Sequence, residues 1–387
     1  MHEVRVEERM HLGEETFKKL RLNSPPGGWF PALQDLFWCI TESNILYIDL
    51  FLSLYLERII SVLPTSSRER MSVGIGYKTM PWAQFKDSFS SFILRCGPSF
   101  TEYDSPVPLS NAALDHLIHL PHLRTWRIHG PPPTYPASSL PLVFPPLREL
   151  TLGEVAACGW LTLGEVAACG WLPLLRCLEG GASTTRGATP LSKAKELLKV
   201  LNVEDISGIN IDPSFVSTIR CFRNLVRLNV EDFCHHGYDD RQCIFKLNND
   251  NIIELAMTLT QLEFLLLGYP CPKNTCLTTV ACLLPISVHC SELRELEIHF
   301  NTTNIVDDFK NTLEDPRFQQ LRSLPRCSLT ILDVSRMPLS LDESGSNIVA
   351  KGMVDIFPSL TCCKGHKEGW SRLTRKIVSI QGDSRYW

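Results

Sequence analysis

The sequence predicts an α/β fold of repeated units, a parallel sheet along one side and helices along the other. Three observations predict it. The first is a recurring phrase, Leu-x-x-Leu-x-Leu with aliphatic or aromatic substitutes. It occurs seven times: Leu123 to Ile128, Leu147 to Leu152, Leu198 to Val203, Leu225 to Val230, Leu262 to Leu267, Leu293 to Ile298 and Leu329 to Val334. The alternating end of each phrase has the period of a strand. The second is helical spacing between phrases, clearest where Ile252, Leu255, Ala256 and Leu259 share one face. The third is a breaker soon after a phrase: Gly130-Pro-Pro-Pro133, Gly268-Tyr-Pro270 and Met337-Pro338.

Taken in order, the phrases start between 24 and 51 residues apart. That suits a strand-plus-helix unit with insertions in its loops. The widest gap leaves room for a degenerate unit near Leu175-Arg-Cys-Leu178, and a further unit is expected at Leu33-Gln-Asp-Leu36-Phe-Trp38. Asn248 to Asp250 offers capping residues for the helix before the strand at 262, Thr278 to Leu284 leads toward the strand at 293, and Ser192 to Lys199 leads into the strand at 198. Such a unit cannot bury its apolar face alone, so neighbours stack. The pattern is that of an irregular leucine-rich-repeat solenoid, parallel sheet on the concave side and helices on the convex side. The expected division is an N-terminal extension (1–28), the solenoid (29–360) and a C-terminal cap or tail (361–387). Pro64 to Arg70 and Gly180 to Gly187 read as surface loops.

One segment departs from this scheme. Leu150-Thr-Leu-Gly-Glu-Val-Ala-Ala-Cys-Gly-Trp160 is followed at once by an identical copy, Leu161 to Trp171. The other repeats share only their apolar skeleton, and eleven residues cannot make a whole unit. One copy is expected in register and the other as an extruded loop or a helix extension.

The net charge of -4 and the lack of a long basic run give no case for nucleic acid. Charges interrupt the N-terminus too often for a signal peptide. Asp49, Glu57 and Arg58 interrupt the most apolar stretch, Ile45 to Leu63, which reads as a buried helix followed by a strand and not as a membrane span. The expectation is an intracellular protein, cytoplasmic or nuclear, away from membranes, its 15 cysteines reduced. Cys271, Cys276, Cys282 and Cys290, with His289, are spaced too irregularly for a structural zinc site. Cys234-His-His236 and Cys362-Cys-x-x-His366 have no matching second pair. No phosphate-binding glycine loop and no nucleophile elbow appears. No cofactor, metal or catalysis is expected.

Phe30-Pro-Ala-Leu-Gln-Asp-Leu, Leu120-Pro-His-Leu-Arg-Thr-Trp, Phe144-Pro-Pro-Leu-Arg-Glu-Leu and Cys290-Ser-Glu-Leu-Arg-Glu-Leu resemble the repeats of fungal F-box proteins with leucine-rich repeats, over about Trp29 to Leu360. The resemblance implies that the repeats hold a protein substrate for a cullin-RING ubiquitin ligase, which the F-box reaches through an adaptor. Residues 1–28 lack the Leu-Pro-x-Glu opening of an F-box, so the adaptor is an expected partner only if an F-box lies upstream. The alternatives are a free-standing repeat scaffold or inhibitor, and a truncated relative without function.

Side chains alternate along a strand, so residues between and just after the signature aliphatics are expected on the concave face. In the first half these are Arg127 and His129, then Glu149 and Thr151. In the second half they are Glu204, Arg227 and Glu231, with Asn202 and Asn229, then Phe264 and Leu266, then Glu295, Glu297 and His299, then Asp333 and Ser335. Acidic residues toward the C-terminus and an apolar pair in the middle suggest a groove for a basic partner anchored on Phe264 and Leu266.

Overall fold

The structure is a computed structural model. It describes residues 3–6, 14–26, 29–30, 32–39, 58–62, 82–105, 109–129, 147–153, 196–204, 211–231, 245–268, 276–334, 339–365 and 368–384. The chain divides into two compact units, Met1–Leu198 and Lys199–Trp387.

The first unit runs β1 (Glu3–Val6), α1 (Glu14–Leu22), β2 (Asp35–Cys39), β3 (Arg58–Val62), α2 (Trp82–Ile93), β4 (Glu102–Ser105), α3 (Asn111–Ile118), β5 (Thr125–His129) and β6 (Glu149–Gly153). Its strands pair side by side in chain order, every pair parallel. Parallel neighbours need a crossover between them, and among the described residues α1, α2 and α3 lie in such connections, between β1 and β2, β3 and β4, and β4 and β5. The core takes Leu36, Ile59, Tyr103, Trp126 and Leu150 from the strands, and Phe89, Phe92, Leu114 and Leu117 from α2 and α3. Ser110 caps α3 by accepting the Ala113 N–H, while its own N–H donates to Ser90 of α2, so one serine ties the two helices together. The strand expected near Leu36 is present as β2, and the strand closing the Ile45–Leu63 stretch is β3. Residues 1–28 contribute a strand, β1, which pairs with β2.

The second unit runs β7 (Val200–Glu204), α4 (Pro213–Ile219), β8 (Arg227–Glu231), α5 (Asn249–Thr258), β9 (Phe264–Leu267), a 3-10 turn (Val280–Cys282) leading into α6 (Leu283–His289), β10 (Glu295–Ile298), α7 (Ile305–Glu314), α8 (Pro316–Arg322), β11 (Ile331–Asp333), α9 (Glu343–Ile356), β12 (Cys362–Lys364) and α10 (Glu368–Ser384). Its strands are again parallel and in chain order. α5 starts where the sequence places it: Asn248 and Asn251 bond each other's backbone N–H in a capping box, and Ile252, Leu255 and Ala256 form the buried stripe. Helices α7 and α9 approach at Gly352, where a Cβ would lie 2.5 Å from the Phe309 ring. Gly268, just past β9, has φ of 77°, a left-handed conformation that glycine adopts without strain. The segment read as a cap or tail holds β12 and the 17-residue helix α10, with Trp370, Leu373 and Ile377 buried.

One hydrogen bond recurs and fixes the register. The residue after the first leucine of each phrase donates to its counterpart in the phrase before. Arg124 donates to Thr101 and Arg148 to Arg124. In the second unit Val226 donates to Lys199, Glu263 to Val226, Arg294 to Glu263, Thr330 to Arg294 and Thr361 to Thr330. Thr101 and Thr361 belong to no phrase recognised in the sequence. They expose two more, Phe100-Thr-Glu-Tyr103-Asp-Ser105 and Leu360-Thr-Cys-Cys363, in which aromatic, hydroxyl and thiol side chains stand for the aliphatics. The fold is thus α/β with parallel strands in sequence order. The degenerate unit near Leu175, the Gly180–Gly187 and Pro64–Arg70 loops and the second eleven-residue copy lie outside the described residues. The first copy is in register, its Leu150 and Thr151 buried in β6.

Candidate recognition surface

In the first unit the face opposite the aliphatics carries an ionic ladder. Arg127 on β5 donates from Nε and Nη2 to Glu149 Oε1 on β6, at 2.9 and 2.7 Å, and from Nη1 to Asp104 Oδ2 on β4, at 3.1 Å. Partial burial disfavours the guanidinium charge, but these hydrogen bonds outweigh it and hold the Arg127 pKa above its ordinary value. Arg127 is therefore committed to its neighbours on both sides. His129 is the last residue of β5.

In the second unit, strand register places the expected residues in two rows. One runs Arg227, Phe264, Glu295, Ile331 and Cys362, and the other Asn229, Leu266, Glu297, Asp333 and Lys364. The Arg227 guanidinium sits over the Phe264 ring, 4.1 Å from its centroid. Lys364 Nζ donates to Glu295 Oε1 at 3.2 Å. That hydrogen bond raises the lysine pKa, with smaller help from the Glu295 and Asp333 charges. Glu204 and Glu231 pair in register at the ends of β7 and β8.

Two expected positions are not open. Leu266 is 8% exposed, so β9 buries three consecutive leucines and offers no second apolar anchor beside Phe264. His299, just past β10, is 3% exposed, and neither ring nitrogen has a hydrogen-bond partner among the described residues. Burial pushes its pKa down to about 4. The alternation rule fails at both because it assumes that one face meets only solvent. Thr151, also placed on the open face, is buried as well. Ser335 lies outside the described residues. The sequence did not single out Asp104 or Lys364. A row-by-row alignment on the phrases at Phe100 and Leu360 is the signal that finds them.

A cleft of about 500 Å³ lies among the helices of the second unit, between the start of α5 and α6, α7 and α8. Leu284 and Pro285 line it, with Asp250, Asp308, Asp315, Arg317 and His289 around them. Arg317 is paired with Asp315, Nη2 to Oδ2 at 2.9 Å. These residues come from four separate elements, and no local pattern announces them.

Burial pushes the thiols of Cys96, Cys290 and Cys363 up to about 12 and that of Cys327 to about 11, and raises Cys282 as well. A thiol held protonated at neutral pH is a poor nucleophile. Among the described residues no three His, Cys, Asp or Glu side chains stand together as metal ligands. Cys271 and Cys234-His-His236 lie outside them. Among the described residues, too, no helix is long and apolar enough to cross a membrane. Comparison with protein-family models found no match, and comparison with curated proteins found none either.

Proposed function

We propose that this chain is a non-catalytic protein-recognition module, an irregular leucine-rich-repeat solenoid whose concave strand face holds a partner protein inside the cell. The reading takes it as similar to the substrate-binding repeats of fungal F-box proteins. One observation carries it: strands in register align Arg227, Asn229, Glu295, Glu297, Asp333 and Lys364 in two rows on one face, interrupted by Phe264, Leu266 and Ile331, while the signature aliphatics are buried on the other. A repeating sheet of this kind presents a broad fixed surface whose specificity lies in the row residues. In its last three strands the face carries Glu295, Glu297 and Asp333 against Lys364, which suits a basic partner. The anchor is narrower than the sequence suggests: Phe264 with Arg227 stacked on it, without Leu266.

The test is site-specific photo-crosslinking in cells, with the reactive group at Arg227 or Glu297 and a control at exposed Met257 on α5. A partner captured from the strand positions and not from Met257 supports the reading. Equal capture from both, or none from either, overturns it. Co-precipitation of a cullin-RING adaptor with the same partner supports a ligase role, and a partner retained without the adaptor supports a free-standing scaffold or inhibitor.

A further inference from the structure

We infer that Arg227 seats a carboxylate of the partner, so that the segment held by the strand face carries an acidic residue and a basic residue at a set spacing. The inference rests on the reading of this face as the recognition surface. Arg227 is exposed on β8, and its guanidinium lies over the half-buried Phe264 ring, 4.1 Å from the centroid. Stacking uses the flat face of the guanidinium. The N–H donors lie in its plane, so the stack orders the cation without spending a donor. No carboxylate among the described residues pairs with it. Arg127 in the first unit is the contrast, because its Nε, Nη1 and Nη2 are all bonded to Asp104 and Glu149. An ordered guanidinium with its edge unspent matches a carboxylate, which accepts two parallel N–H···O bonds.

The chain does not supply that carboxylate from the same row. Glu295 stands two strands away, with Phe264 between, and accepts from Lys364 on the side away from β8. Glu295 and Glu297 on β10 and Asp333 on β11 set three carboxylates near one lysine, Lys364. The face is therefore positive at β8 and net negative at β10 and β11. Adjacent strands lie about 4.8 Å apart, so the two ends are about 10 to 14 Å from each other. A wholly basic segment would lay a like charge on Arg227. An extended chain advances about 3.3 Å per residue, so a segment crossing the strands meets both ends when its acidic and basic residues are about three or four positions apart.

The test is selection of peptides from a random library on the full chain, with affinities of the selected peptides measured by fluorescence anisotropy. Selected peptides should carry Asp or Glu at that spacing from Lys or Arg. Arg227→Leu should weaken them roughly tenfold, and Arg227→Lys, which keeps the charge but not the paired donors, should weaken them as well. Replacing the peptide's carboxylate by its amide should cause the same loss on the wild type and no further loss on Arg227→Leu. That arm uses the unaltered protein and decides even where a variant fails to fold. Glu295→Gln with Glu297→Gln should remove the preference for Lys or Arg and keep the one for Asp or Glu. Peptides that need Glu295 and Glu297 but carry no acidic residue overturn the carboxylate seat and leave the recognition surface standing. A selection that yields no peptide, or only peptides indifferent to all these substitutions, overturns the recognition surface and the seat with it.

Discussion

Burial holds the His299 imidazole at a pKa of about 4, against 6.5 for an ordinary histidine, and no partner among the described residues compensates its charge. Between those values the unfolded chain binds a proton that the folded chain refuses. Stability from this group is thus complete above about pH 6.5, falls as the pH drops toward 4, and falls no further below that. The full span corresponds to about 3 kcal/mol. Urea unfolding of the wild type and of His299→Leu at pH 7 and pH 4.5 isolates it: the variant loses less stability on acidification. Equal losses would show that another group carries the sensitivity. Arg127 makes a second test. Arg127→Leu leaves Asp104 and Glu149 without their shared cation, but the site is partly solvated, so the expected cost is roughly 1 kcal/mol. A double-mutant cycle with Glu149→Gln should return a coupling of the same order, and a coupling of zero would make the bidentate geometry irrelevant to stability. The ion ladder needed residues from three strands, so only half of it was visible in the phrases: Arg127 and Glu149 were legible, Asp104 was not.

At the scale of elements, α9 and α7 approach closely at Gly352, which faces the Phe309 ring. Gly352→Ala puts a methyl where the ring now sits, and overpacking of this kind costs about 1–3 kcal/mol. Chemical denaturation checks it, and Phe309→Leu in the alanine background should recover part of the loss. The helix α5 was legible in full, cap and stripe together, because its capping residues and its 3.6-residue periodicity are local. The strands β4 and β12 were not legible. Tyr103 and Ser105 fill the buried places of β4, and Cys363 fills that of β12, where the phrase calls for aliphatics. These side chains bury well once neighbours surround them, yet in a sequence they do not mark a strand.

Across the whole molecule, the acidic balance of the last strands is the feature most open to experiment. Glu295→Lys with Glu297→Lys reverses it without touching a fully buried group. The expected outcome is partner retention weakened by roughly tenfold or more, by loss of electrostatic complementarity. The melting temperature should drop only slightly, through the lost Lys364 contact. Retention unchanged at low salt would place the partner elsewhere on the molecule. The sequence by itself determined the α/β class, the chain-order parallel pairing and most of the buried leucines, because these follow from short-range periodicity that repeats. Only the tertiary structure decided that Leu266 and His299 are closed, that Phe264 lies under Arg227, that Lys364 reaches Glu295, and that the first eleven-residue copy forms β6. Each of those depends on what packs beside a residue from a distant part of the chain, and strand alternation says which way a side chain points but not what it meets there.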